Sequence, residues 1–164
     1  MSSSPPNDPV AYAAWLDDLE RQWQAGLIPA PQGVAAILLN THGEVLLQLR
    51  DDKPHTVFPG YWTLPGGVVE GAETPDAAMR RELEVETGLR VALSLWKRYT
   101  RRSHSRAFDL EQFVYTATVD VEAGELTLGE GQALRYFGRE ALSALKIAFG
   151  FEVVLSEFFG EGRS

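Results

Sequence analysis

A chain of 164 residues, 45% hydrophobic and 23% charged, is long enough for one domain with a proper core and has an ordinary globular composition. Its formal charge of −8 argues against a general binder of duplex nucleic acid or membrane surfaces, whose phosphates attract basic faces; a local cluster or a metal can still draw in a small anionic ligand. There is no cysteine, which excludes disulfides and thiolate chemistry, and neither a leader pattern nor an apolar run of membrane-spanning length is visible, so the expected location is the cytoplasm.

Residues 1–8, rich in serine and proline, predict a mobile tail. Asp8 followed by Pro9 reads as a helix start, and Tyr12, Trp15, Leu16, Leu19 and Trp23 recur at helical spacing as one apolar stripe to about Gln24. That stripe either packs on the domain or, with two tryptophans as anchors, makes a homodimer contact. A Pro/Gly linker follows to residue 31 or 32. Residues 34–39 and 45–49 read as strands joined by a turn at 41–43, with Arg50 closing the second. Residues 51–60 predict a loop in which His55 is a surface residue. Tyr61 and Trp62 lead a strand that ends at Leu64; their rings are expected to pack, with base stacking as the lesser reading.

Residues 66–89, GGVVEGAETPDAAMRRELEVETGL, organise the rest and read as a glycine-rich loop, a helix and a second glycine stop. Thr74 can cap a helix, Pro75 suits its first position, Asp76 favours the positive end of its dipole, and Gly88 supplies the left-handed residue that ends it. At about 100° per residue, Glu82, Val85 and Glu86 share a face with Ala78 and Met79, while Arg80, Glu84 and Thr87 fall on the other side. Two carboxylates among apolar neighbours are costly if left unpaired. A divalent cation would remove that cost, and oxygen-rich sites suit Mg²⁺ or Mn²⁺.

Beyond this helix, residues 91–100 predict a strand, residues 101–106 a basic turn and residues 108–119 a longer returning strand. The turn is either a solvated hairpin tip or a contact for substrate phosphate or a partner. Residues 122–131 form an acidic, glycine-rich loop ahead of a strand at 134–137. Helices are expected at 139–145 and 149–159; Phe151, Val154, Leu155, Phe158 and Phe159 give the last one a buried stripe. No internal repeat or second-domain boundary is visible.

The central stretch resembles the Nudix box, G-x5-E-x7-R-E-U-x-E-E-x-G-U with U a bulky aliphatic. Gly67, Glu73, Arg81, Glu82, Leu83, Glu86, Gly88 and Leu89 match at the required spacing, and Leu64-Pro65-Gly66 fits the usual lead-in. The resemblance implies an α/β fold, an α/β/α sandwich with a mixed sheet over residues 32–164, here with an N-terminal helical extension at 9–31. It implies hydrolysis of a nucleoside diphosphate linked to another moiety, with a small-molecule nucleotide as substrate and Mg²⁺ or Mn²⁺ as cofactor. Glu82 and Glu86 would be the catalytic metal ligands, joined by the Gly66 carbonyl. Arg81 would pair with Glu73 to hold loop and helix together, and Gly67 and Gly88 would be structural glycines of the motif. The segment Gly129-Glu130-Gly131-Gln132 is similar to the loop whose glutamate supplies a further metal ligand in MutT-type nucleoside-triphosphate pyrophosphohydrolases, so Glu130 is either such a ligand or a plain acidic loop residue. An arginine near the end of the second strand often faces substrate in this family, so Arg50 is either a phosphate contact or a solvated strand end.

Val85 departs from the box, because the first glutamate of the E-E pair normally joins the metal-binding set. Glu84 is no simple substitute, since one residue rotates the side chain by about 100° toward the polar face. Two readings therefore stand side by side: a metal-dependent pyrophosphohydrolase that tolerates the change, and a nucleotide-binding protein of the same fold with little turnover.

Overall fold

An apolar run without polar alternation is what a strand covered on both faces requires. Residues 34–38 are such a run, and in the computed structural model, which describes residue 6 and residues 8–100 and 111–160, all five are buried. They belong to strand β1 (Gln32–Leu39), which divides its side chains by parity. Ala35 and Ile37 enter one core cluster with Val45, Leu47, Val114 and helix α3 (Phe151–Gly160). Val34, Ala36 and Leu38 enter another with Leu46, Tyr115 and helix α2 (Pro75–Thr87). The sheet is thus the middle layer of an α/β/α sandwich.

Its remaining strands are β2 (Val45–Leu49), β3 (Trp62–Thr63), β4 (Gly66–Val68), β5 (Ser94–Tyr99), β6 (Glu111–Thr118) and β7 (Ala133–Phe137). The order is β3-β2-β1-β6-β5, with β4 also paired to β1 and β7 to β2. β1 and β6 run parallel from Gln32↔Glu111 to Leu39↔Thr118, while the other strand pairs are antiparallel, so the sheet is mixed. The functionally important irregularity lies beside β1. β2, whose other edge is paired with β7 along its whole length, meets β1 only at Leu39↔Val45; its far end pairs instead with β3 at Gln48↔Thr63 and Leu49↔Trp62, while β4 pairs with β1 at Gly33↔Val68, Val34↔Gly67 and Ala35↔Gly66. Strands that part in this way open a cleft at one end of the sheet.

Several expectations require correction. The residues after Leu64 are not wholly loop, because Gly66–Val68 pairs with β1. The element at 139–145 is a 3₁₀ turn, Arg139–Ala144, rather than an α-helix. The last helix begins at Phe151 instead of 149, because Phe149 and Gly150 adopt φ of 60° and 76°, which no right-handed helix accepts. On α2 the buried arc is Ala78, Met79, Leu83, Glu86 and Thr87; Val85 is 53% exposed, and Thr87 is buried with its hydroxyl on the Leu83 carbonyl. Val85 falls at the edge of that arc. The tail residues 1–5 and 7, the basic turn at 101–106 and the start of the strand at 108–110 lie outside the described residues.

Helix α1 (Pro9–Gln24) starts where Asp8 accepts the Ala11 amide at 2.9 Å. Its stripe is half-buried, and Tyr12 reaches Phe149 at 6.5 Å between ring centroids. Among the described residues no helix is long and apolar enough to cross a membrane.

Candidate active site

The cleft has a volume of about 860 Å³ and is floored by β4 and the acidic face of α2. Helical spacing puts Glu82 and Glu86 one turn apart, both lining it. Glu86 is 4% exposed, and one of its oxygens accepts the Gly66 amide at 2.9 Å. Burial pushes its carboxyl well above the ordinary carboxylate range, the charges of Glu82 and Glu130 push it further, and the Gly66 amide and Arg50 pull back. Burial likewise raises Glu82, against the opposing hydrogen bond and charge of Arg81.

Glu82 can lie where it does because residue 67 has no side chain. A Cβ there would stand 2.5 Å from the Glu82 Cδ. Arg81 ties this arrangement together. Its Nη2 and Nε donate to the two Glu73 oxygens at 2.6 and 3.1 Å, Nη1 donates to Glu82 at 2.6 Å, and Nη2 also reaches the Val68 carbonyl at 3.2 Å. The fork of one guanidinium therefore joins β4, the loop before α2 and an acidic residue of the cleft. Gly88 ends α2 with φ of 76°.

Glu130 comes from the far side of the chain. The preceding segment docks on the end of α2, with the Thr127 amide on the Thr87 carbonyl at 3.1 Å and the Gly129 amide on the Glu86 carbonyl at 3.0 Å. The Gln48 side chain donates to the Glu130 carbonyl at 2.7 Å, and the Gln132 side chain donates to the Arg50 carbonyl at 2.8 Å. These bonds hold Glu130 in the lining, where its charge acts on Glu82, Glu86 and Arg50. Gln48 could have been noticed as the polar residue in the buried run VLLQL; nothing local announced its partner.

Arg50 lines the same cleft, with Nε donating to the Val57 carbonyl at 2.7 Å and its guanidinium 5.0 Å over the Phe149 ring. Burial lowers its pKa, opposed by Glu130, Tyr12, Glu86 and Asp51. Tyr61 and Trp62 are not part of the lining, whereas Tyr12, Phe58 and Phe149 are. His55 is exposed and contacts Asp8 at 3.2 Å.

Among the described residues, no three His, Asp or Glu side chains form a preassembled metal-binding group. The donor chemistry nevertheless suits a hard divalent cation. Two carboxylates are held in low dielectric near a third, and their mutual repulsion is the penalty that a bound ion relieves.

Residues 29–158 match the family model of the NUDIX domain. The RNA pyrophosphohydrolase of Rhodospirillum rubrum is 41% identical over 71 residues, 43% of this chain and 39% of that protein. The nucleoside triphosphatase NudI of an Enterobacter species is 36% identical over 73 residues, 44% of this chain and 50% of that one. The chain thus spans half or less of the length of these curated relatives. A mutT/nudix family protein from Listeria innocua superposes with a TM-score of 0.65 at 23% identity, covering 82% of this chain and 94% of its own. The NUDIX domain of Shewanella oneidensis NrtR, solved with ADP ribose, gives 0.63 at 19% identity, covering 87% and 97%. At these identities the structural likeness is one of fold. With the family model spanning most of the sequence and the sandwich shared with Nudix structures, the chain belongs to the Nudix family.

Proposed function

We propose that this protein hydrolyses a pyrophosphate linkage in a nucleoside diphosphate linked to another moiety, preferring nucleoside triphosphates, with Mg²⁺ or Mn²⁺ as cofactor. The observation that carries the reading is the pair Glu82, half-buried, and Glu86, buried, one turn apart in the cleft with Glu130 within electrostatic range. In hydrolysis the water oxygen forms a new bond to phosphorus as the bridging P–O bond breaks, and the water loses a proton. Glu82 or Glu86, both lining the cleft, would accept that proton. Glu82, Glu86, Glu130 and the Gly66 carbonyl would hold the cation, which when bound would neutralise charge at the phosphates and acidify water. Arg50, a cation of the cleft lining within range of the Glu130 charge, would orient the phosphate chain.

Relatives named as a nucleoside triphosphatase and as the 8-oxo-dGTP diphosphatase of Proteus vulgaris support the leaning toward triphosphates. The test is release of phosphate and pyrophosphate from nucleoside triphosphates, nucleotide sugars and ADP-ribose, with each metal. Glu82→Gln and Glu86→Gln should each lower kcat at least 100-fold; turnover untouched by both would place the activity elsewhere. Val85 supports the second reading, a nucleotide-binding protein with little turnover, because no carboxylate stands at that position. Saturable nucleotide binding without product release would decide for it.

A further inference from the structure

The acidic residues occupy one part of the cleft, and a cluster of rings occupies another. Phe149 and Phe58 meet edge-on at 4.9 Å, and Tyr12 lies 6.5 Å from Phe149 at a tilt of 58°. Phe58 is 37% exposed and lines the cleft, so its ring is open to a ligand there. Phe58 and Phe149 also hold left-handed backbone, with φ of 52° and 60°. Bulky residues rarely adopt that conformation, and such outliers gather at ligand sites. Tyr12 comes from α1, which precedes the stretch matched by the family domain at residues 29–158. Asp8 fixes this helix twice, as its cap and through His55 of the loop that carries Phe58. Arg50 bridges the two parts: its guanidinium rests on Phe149, and it also borders the lining with Glu130 and Glu86.

We infer that Tyr12, Phe58 and Phe149 form a stacking subsite for the nucleobase of the substrate, with the N-terminal helix supplying one of its walls. Every base offers a π face, so ring contacts of this kind add affinity without demanding one base. A nucleotide seated there would run its phosphates past Arg50 toward Glu82 and Glu86. The choice of a nucleotide rests on the proposed function, whereas the subsite itself is tested without turnover.

Calorimetric titration of the metal-free full chain with AMP, GMP and ribose 5-phosphate isolates the base. Both nucleotides should bind at least about fivefold more tightly than the base-free sugar phosphate. That difference should vanish in Tyr12→Ala and in Phe58→Leu, which keeps apolar bulk but removes the ring, and it should persist in Tyr12→Phe. Equal affinity for all three compounds, or a base-dependent difference that survives both ring removals, overturns the subsite. Circular dichroism checks folding, and Phe58→Leu carries the test if Tyr12→Ala unfolds. Base-dependent binding in a protein that hydrolyses no nucleotide would sink the hydrolase reading while leaving the subsite in place.

Discussion

Glu86 illustrates how one buried carboxylate couples stability to pH. Because burial holds its folded pKa above the unfolded value, the native chain binds more protons than the unfolded one between those two values. Its stabilising contribution is therefore complete below the ordinary carboxylate range and is lost as pH rises through the shifted value. Glu82 acts in the same direction. The metal-free protein should lose stability as pH is raised from about 4.5 toward neutrality. Glu86→Gln should flatten that slope, which denaturant melts at several pH values would show; an unchanged slope would mean that Glu86 is not the source. Val85 gives the complementary residue-level prediction. It sits three positions after Glu82 on an exposed part of α2, so a carboxylate there can swing toward the same ion. Val85→Glu should tighten Mn²⁺ binding about tenfold by calorimetry, as an added charged ligand does. Unchanged or weaker binding would place residue 85 away from the ion.

At the level of elements, the site is a junction between the end of α2 and the loop that follows β6. The loop approaches so closely that a Cβ on Gly129 would land on the Val85 carbonyl oxygen, which is backbone and cannot simply rotate away. Gly129→Ala should therefore destabilise by about 1–3 kcal/mol, as overpacking does. If this junction positions Glu130, the variant should also weaken Mn²⁺ binding. Stability lost with metal affinity intact would show the loop to be structural only. Arg81 works at the same scale, because its fork closes β4 and the loop before α2 onto the helix. Arg81→Ala leaves Glu73 and Glu82 without their shared partner and should lower both melting temperature and kcat; an effect on neither would deny it the brace.

For the whole molecule, a cation that binds only the folded state stabilises it by mass action. At a hundredfold excess over its Kd the gain is about 2.7 kcal/mol, or about 5–11 °C in Tm for a chain of this size. Differential scanning fluorimetry with Mn²⁺ should show that rise in the parent chain and little of it in Glu82→Gln or Glu86→Gln. An equal rise in all three would put the stabilising ion elsewhere. The two-faced burial of β1 links this response to the core, since α2 carries Met79 and Leu83 into one cluster and Glu82 and Glu86 into the cleft.

The local order of residues determined much of this protein. Thr74, Pro75 and Gly88 bounded α2 because caps act over a few residues, and the spacing of Glu82 and Glu86 followed from the pitch of the helix. The apolar run of β1 announced a strand. Tertiary structure decided what depends on distant partners. Val85 and Thr87 exchanged their expected surroundings because the sheet beneath α2, rather than the helix's own period, sets where burial stops. Gln48 meets Glu130 across 82 positions of chain, and Tyr12 meets Phe149 from the opposite end of the sequence. The first of these follows from the pairing of β2 with β7, which begins just beyond Glu130, and pairing between strands so far apart in the chain is something that no local pattern encodes.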